Sequence, residues 1–156
     1  METTTEHDSD VRKWLTIALA EENLQTFSVT ITGTSEKGDG YAGDRIFVFV
    51  SGTDKQGKNK EYDLVLKCSK PSAALMESVP VFRKAFVKEA YVYQNVFPVF
   101  KEFQVSKGIE KPFDSVPKCY GVYSDGFRYV IVLENLKKLG YDLWPKAKPL
   151  TREVIN

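Results

Sequence analysis

Histidine and cysteine are scarce: the 156 residues hold one histidine, His7, and two cysteines, Cys68 and Cys119. The cysteines lie far apart without metal-ligand spacing, which predicts buried thiols in a reducing compartment and no metal site. An excess of charge is also lacking. Lys and Arg number 22 against 21 Asp and Glu, a net charge of +1, so nothing favours a polyanionic partner. The basic run Lys55-Gln-Gly-Lys-Asn-Lys60 sits in a glycine-containing turn and reads as a solvated hairpin tip, not a nucleic-acid patch. No stretch approaches the eighteen or so apolar residues of a membrane helix. The polar start, Met-Glu-Thr-Thr-Thr-Glu-His-Asp, has neither the basic region nor the apolar core of a signal peptide, and there is no Asn-x-Ser/Thr sequon. These absences predict a cytoplasmic chain with neither nucleic acid nor membrane as partner.

What is present is an ordinary globular composition, 42% hydrophobic and 28% charged, long enough for one domain with a sizeable core. Asp8-Ser-Asp10 can cap a helix in which Val11, Trp14, Leu15, Ala18 and Leu19 follow helical spacing, ending near Asn23-Leu24. Alternating apolar runs predict strands over about 27–34, 44–51 and 61–69. Pro80 introduces a long helix from about Val81 to Phe97, with Pro98 near its boundary, and residues 104–118 read as a loop. Tyr120-Gly-Val-Tyr123 and Phe127-Arg-Tyr-Val-Ile-Val-Leu133 flank Ser124-Asp-Gly126, a hairpin signal. A Lys-, Gly- and Pro-containing linker, 137–149, leads to a helix start at Leu150–Asn156 with Thr151 as cap.

Between the first two strands, Gly38, Gly40 and Gly43 stand at G-x-G-x-x-G spacing. Chance supplies about 0.04 such matches in a chain of this composition, so the context must decide. A dinucleotide-binding turn would open a helix; here the glycines open onto Arg45-Ile-Phe-Val-Phe-Val50, a strand. Strand, glycine loop, strand is the phosphate-covering hairpin of kinases.

Two charged residues fit that device. Lys67 ends the apolar strand Tyr62-Asp-Leu-Val-Leu-Lys67, where alone it would read as a side chain snorkelling at an edge. Glu89 lies at helical spacing from Phe82, Ala85, Phe86, Val92, Tyr93 and Val96, in the middle of the apolar stripe of the long helix. An inward carboxylate is costly unless paired, although an irregular helix would also misplace it. In kinases a third-strand lysine meets the phosphates and a helix glutamate holds it. Lys67 follows Gly43 by 24 residues and Glu89 follows Lys67 by 22, intervals that suit a strand turn and a strand-to-helix connection.

Lys37-Gly-Asp-Gly-Tyr-Ala42, Leu64-Val-Leu-Lys67, Phe86-x-x-Glu89-x-x-x-Tyr93-x-x-x-x-Pro98, Pro117-Lys-Cys-Tyr120, Leu133-Glu-Asn-Leu136 and Gly140-Tyr141 together resemble the ecdysteroid kinase-like family, also called choline kinase-like or CHK kinase-like. The resemblance runs from about residue 28 onward. It implies an α+β fold: a protein-kinase-like N-lobe, a five-stranded antiparallel sheet with one long helix, preceded by an N-terminal helix and ending just after the hinge. On this reading 1–26 is an N-terminal helical segment, 27–136 the lobe, and 137–156 the hinge-to-C-lobe linker with the start of a truncated helix. Members phosphorylate small alcohols such as steroid hormones with ATP and Mg²⁺. Carried over by position, Gly38, Asp39, Gly40, Tyr41, Ala42 and Gly43 cover the phosphates. Lys67 binds them, Glu89 orients Lys67, Val65 lines the adenine pocket, and Glu134, Asn135 and Leu136 form the hinge. Asn135 replaces an aspartate usual in the family, and Gly43 replaces a serine found in many members.

The family's catalytic loop and metal-binding aspartate have no counterpart here. His7 is the only histidine, and after the hinge the only acids are Asp142 and Glu153. The expectation is a nucleotide-binding lobe with no catalytic residue of its own, whose Mg²⁺ and small hydroxylated substrate enter only with a C-lobe. A fragment or truncated gene product fits this expectation. A stand-alone pseudokinase-type binding module is the alternative, and an unrelated α+β protein the plainest one.

Overall fold

The computed structural model describes residues 3–35, 43–69, 80–126 and 128–142. Gly38–Ala42 of the glycine loop, the side chain of Phe82, Phe127 and the expected helix near Thr151 lie outside the described residues. Helix α1 (Thr3–Ala18) runs into a 3₁₀ turn (Ala20–Glu22). Strands β1 (Leu24–Thr34), β2 (Gly43–Asp54) and β3 (Asn59–Ser69) follow. Helix α2 (Pro80–Tyr91), a π turn (Val92–Val96) and helix α3 (Phe97–Ser106) then continue without a break. Strands β4 (Cys119–Ser124) and β5 (Tyr129–Glu134) and a 3₁₀ turn (Leu136–Leu139) complete the order. The five strands form one antiparallel sheet in the order β1-β2-β3-β5-β4.

Strand alternation divides the sheet into two faces. Ile46, Val48 and Val50 of β2, Leu64, Leu66 and Cys68 of β3, and Val130 and Val132 of β5 point to one side. There they bury Val11, Trp14, Leu15, Ala18 and Leu19, the stripe expected for α1. Ile131 and Leu133 point to the other side and meet Phe86 and Ala90 of α2, with Val65, Tyr93 and Val122 packed around them. Each such apolar side chain taken from water contributes about 1.5–3 kcal/mol, so the long helix and α1 are both held by burial, on opposite faces. At Gly121 of β4 an added Cβ would lie 2.9 Å from Ala18 Cα, so only glycine lets α1 settle this closely.

Four expectations are corrected. Helix α1 begins at Thr3, so Asp8–Asp10 lie inside it. Asp10 accepts from Arg128 Nη1 at 2.7 Å, and that guanidinium lies 5.4 Å from the Trp14 ring centre; its carboxylate serves a tertiary contact, not a cap. The long helix does not stop at Pro98 but reaches Ser106, so residues 104–106 are helical. A proline mid-helix lacks a donor and crowds the carbonyl four residues earlier; the π turn just before it, with Phe97 N donating to Val92 O, makes the room. Ala85 is exposed and Ala90 buried, so the inner stripe is Phe86 and Ala90 of α2, continued by Tyr93 of the π turn. The start of the expected 137–149 linker is itself a 3₁₀ turn.

The turn after α1 is tied to the sheet by Glu22. Its Oε1 accepts from Lys118 Nζ at 2.7 Å and its Oε2 from the Tyr62 hydroxyl at 3.0 Å. Burial and then the Glu22 carboxylate push the Tyr62 hydroxyl up to about 12. The Lys118 ammonium, ahead of the Tyr62 hydrogen bond, holds the Glu22 carboxyl below its ordinary 4.5. A carboxyl depressed on folding stabilises the fold fully above its unfolded value, and that contribution is lost as pH falls through the lower folded value. Glu22→Gln should therefore lower Tm at pH 7 and converge with the parent as pH falls below about 4.5, which flattens the acid limb of a Tm-against-pH profile.

Candidate functional site

Lys67 belongs to the second face. It stands opposite Arg45 on β2 and Ile131 on β5 in register, with Val65 and Asp63 on the same side. Phe86 and Ala90 anchor α2 over Ile131 and Leu133. Regular helical geometry then carries Glu89, between those anchors, over the end of β3. Lys67 Nζ donates to Glu89 Oε1 at 2.5 Å. The irregular π turn begins only at Val92, so Glu89 is placed by regular helix. The two side chains are 36% and 32% exposed. Water reaches the pair, which limits its contribution to stability to about 0–1 kcal/mol. Its consequence is positional: a lysine ammonium is held at the mouth of an apolar face. Next to it, burial and then the Glu89 charge raise the Tyr93 hydroxyl above its ordinary 10.0 and keep it protonated.

One register row crosses the same face, Gly33 to Phe47 to Val65 to Leu133. Phe47 and Val65 are half-buried, so the row leaves an apolar surface beside Lys67. Phe47 was not among the expected site residues. Alternation in Arg45–Val50 was the signal that would have found it, since it shares a face with the residue opposite Lys67. Lys137 reaches back over this surface, its Nζ 5.7 Å from the Phe47 ring centre.

The three expected hinge residues leave the end of β5. Glu134 N donates to Lys118 O at 2.9 Å, and Asn135 N to Asp63 O at 3.0 Å. The Asn135 side chain is buried and its Oδ1 accepts from Lys137 N at 3.2 Å, capping the turn that follows. Lys138 Nζ stands 3.7 Å from Asp63 Oδ1. The segment is thus pinned to β3 at one side and β4 at the other.

Of the glycine loop only Gly43 is among the described residues, where it opens β2 opposite Ser69. An added Cβ there would overlap the Cys68 carbonyl oxygen and lie 2.9 Å from Phe86 Cζ. Backbone cannot yield as a side-chain tip can. Gly43→Ala is expected to cost about 1–3 kcal/mol, read as a drop in the urea midpoint with an unchanged m-value.

A groove of about 890 Å³ lies elsewhere, between α3, the loop before β4 and the start of the hinge. Phe97, Phe100, Phe103, Phe113 and Cys119 line it, with Glu134 at its edge, and it includes neither Lys67 nor Glu89. Ending the helix at Pro98 hid this phenylalanine stripe. Both cysteines are free thiols; Cys68 is fully inside the core, where burial pushes it up to about 12. Among the described residues no three His, Cys, Asp or Glu side chains cluster as metal ligands, and no helix is long and apolar enough to cross a membrane.

No curated protein and no solved structure matches the chain. The sheet order, the helix glutamate on the third-strand lysine and the segment leaving β5 are those of a kinase-like N-lobe, and residues 37–156 match the model of the ecdysteroid kinase-like family. The chain belongs to the ecdysteroid kinase-like family, with a kinase-like phosphotransferase fold.

Proposed function

We propose that this chain is the ATP-binding lobe of a kinase that phosphorylates a hydroxyl of a steroid-like or other small alcohol. The observation that carries the reading is the Lys67–Glu89 pair, an ammonium oriented by a carboxylate and left open to water at one side. A fixed cation of this kind fits a polyphosphate. The half-buried Phe47 and Val65 suit the flat face of a base, and the backbone of Glu134–Leu136 would meet its polar edge. Gly38–Gly43 would cover the phosphates with backbone N–H groups. When ATP, the family's phosphoryl donor, is bound, Lys67 would neutralise charge on its α- and β-phosphates and Glu89 would keep Lys67 there.

The chain supplies no candidate for the aspartate that orients an acceptor hydroxyl, since Asp142 and Glu153 are its only acids past the hinge. The proposal therefore assigns it nucleotide binding without phosphoryl transfer of its own. ATP titrated into ¹⁵N-labelled protein should give saturable shifts at Val65, Lys67 and Leu136, reversed by competing ADP. No saturable shift at millimolar ATP overturns the reading. Phosphate transfer from Mg-ATP to sterol alcohols above blank would overturn the assignment of an inactive lobe.

A further inference from the structure

We propose that Glu22 is a positioning residue for the hinge, acting through Lys118 on Glu134; the inference rests on the nucleotide-lobe reading above. Glu22 lies before the family-matched residues 37–156, in the turn after α1. Both of its carboxylate oxygens are engaged, one by the Lys118 ammonium at 2.7 Å and the other by the Tyr62 hydroxyl at 3.0 Å. Its carbonyl takes Lys60 Nζ at 3.3 Å. The Lys118 ammonium also sits 4.3 Å from the Tyr120 ring centre, and Tyr120 packs edge-on against Tyr62 at 5.6 Å. Glu22 is therefore held from β3 while it holds Lys118.

Lys118 in turn brackets Glu134. Its backbone N donates to Glu134 Oε2 at 3.3 Å and its carbonyl accepts from Glu134 N at 2.9 Å. A brace is needed at this point for a physical reason. Among the described residues β4 is an edge strand paired with β5 alone, and its register shifts between Cys119 and Gly121, beside Lys118. Lys118 also follows the irregular segment after α3. Edge strands with broken ladders open first, and here the opening would release the first hinge residue. The Glu22 ion pair anchors that weak end to the turn after α1, which is itself set by the burial of Leu15, Ala18 and Leu19.

The test compares Glu22→Gln, Lys118→Met and Lys118→Arg, with Lys55→Met at the exposed hairpin tip as control. Amide hydrogen exchange is read at Glu134 and Asn135 against Val48 and Leu66, and ATP affinity by calorimetry. In Glu22→Gln and Lys118→Met the two hinge amides should exchange roughly tenfold faster with Val48 and Leu66 unchanged, and the ATP Kd should rise about fivefold. Lys118→Arg should restore both readouts, and the Glu22→Gln/Lys118→Met double variant should be no worse than either single one. Unchanged hinge exchange, or faster exchange across all amides, overturns the brace. Faster hinge exchange with an unchanged Kd overturns its service to the nucleotide. Parent protein that binds no ATP overturns the nucleotide-lobe reading, and this role for Glu22 with it.

Discussion

Lys67→Met should weaken ATP binding by roughly 10- to 100-fold while moving Tm by no more than about 2–4 °C. The asymmetry follows from the exposure of the pair. A hydrogen bond to a charged group contributes about 1.5–3 kcal/mol when it forms, and each 1.4 kcal/mol is about tenfold in Kd. The water-accessible pair itself adds only about 0–1 kcal/mol to folding. Methionine keeps the length of the side chain and removes its charge. Glu89→Gln should have the smaller effect, because Lys67 remains but loses its tether at 2.5 Å. A double-mutant cycle on ATP affinity should return a coupling of about 0.5–3 kcal/mol between the two positions. Lys67→Met protein that binds ATP as the parent does would remove the basis of the proposed function, and zero coupling would reduce the pair to a surface contact.

Leu15→Ala should cost about 2–5 kcal/mol, the range for truncating a fully buried leucine. Leu15 is 0% exposed, in a core it shares with β2, β3 and β5. For a chain of this size each kcal/mol shifts Tm by about 2–4 °C, so a fall of roughly 5–20 °C is expected in a thermal melt. Total stability is commonly about 5–15 kcal/mol, so this one substitution can bring the fold close to unfolding. A loss under about 1 kcal/mol would mean that α1 rests loosely on the sheet and can be removed without consequence. The same result would also weaken the brace, since Glu22 is positioned by the end of that helix.

Much of this arrangement was legible in the chain because two periodicities are short-range. Alternation in 44–51 and 61–69 placed Lys67 with Val65 and Asp63, as found. Helical spacing placed Val11, Trp14, Leu15, Ala18 and Leu19 on one buried stripe, as found. The same spacing put Glu89 among apolar residues, and the cost of an unpaired inward carboxylate made a cation partner necessary. The misread places share a different cause. Pro98 is a stop signal only if the helix before it is regular, and a π turn relieves the clash without ending the rod. Asp10 has the chemistry of a cap, yet Arg128 claims it from 118 residues away. Phe47 was overlooked although alternation put it on the face of Arg45; its place beside Val65 came only with the β2–β3 register.

What the sequence by itself determined is which face the side chains of α1, β2 and β3 take, because backbone geometry repeats every 2 or 3.6 residues whatever surrounds it. The tertiary structure decided the partners: Lys67 with Glu89, Glu22 with Lys118 across 96 residues of chain, and the long helix carried through Pro98. Those outcomes depend on sheet order and on the packing of α1 and α2 against opposite faces. Long-range pairing of that kind has no local period, so it exists only once the whole sheet has closed.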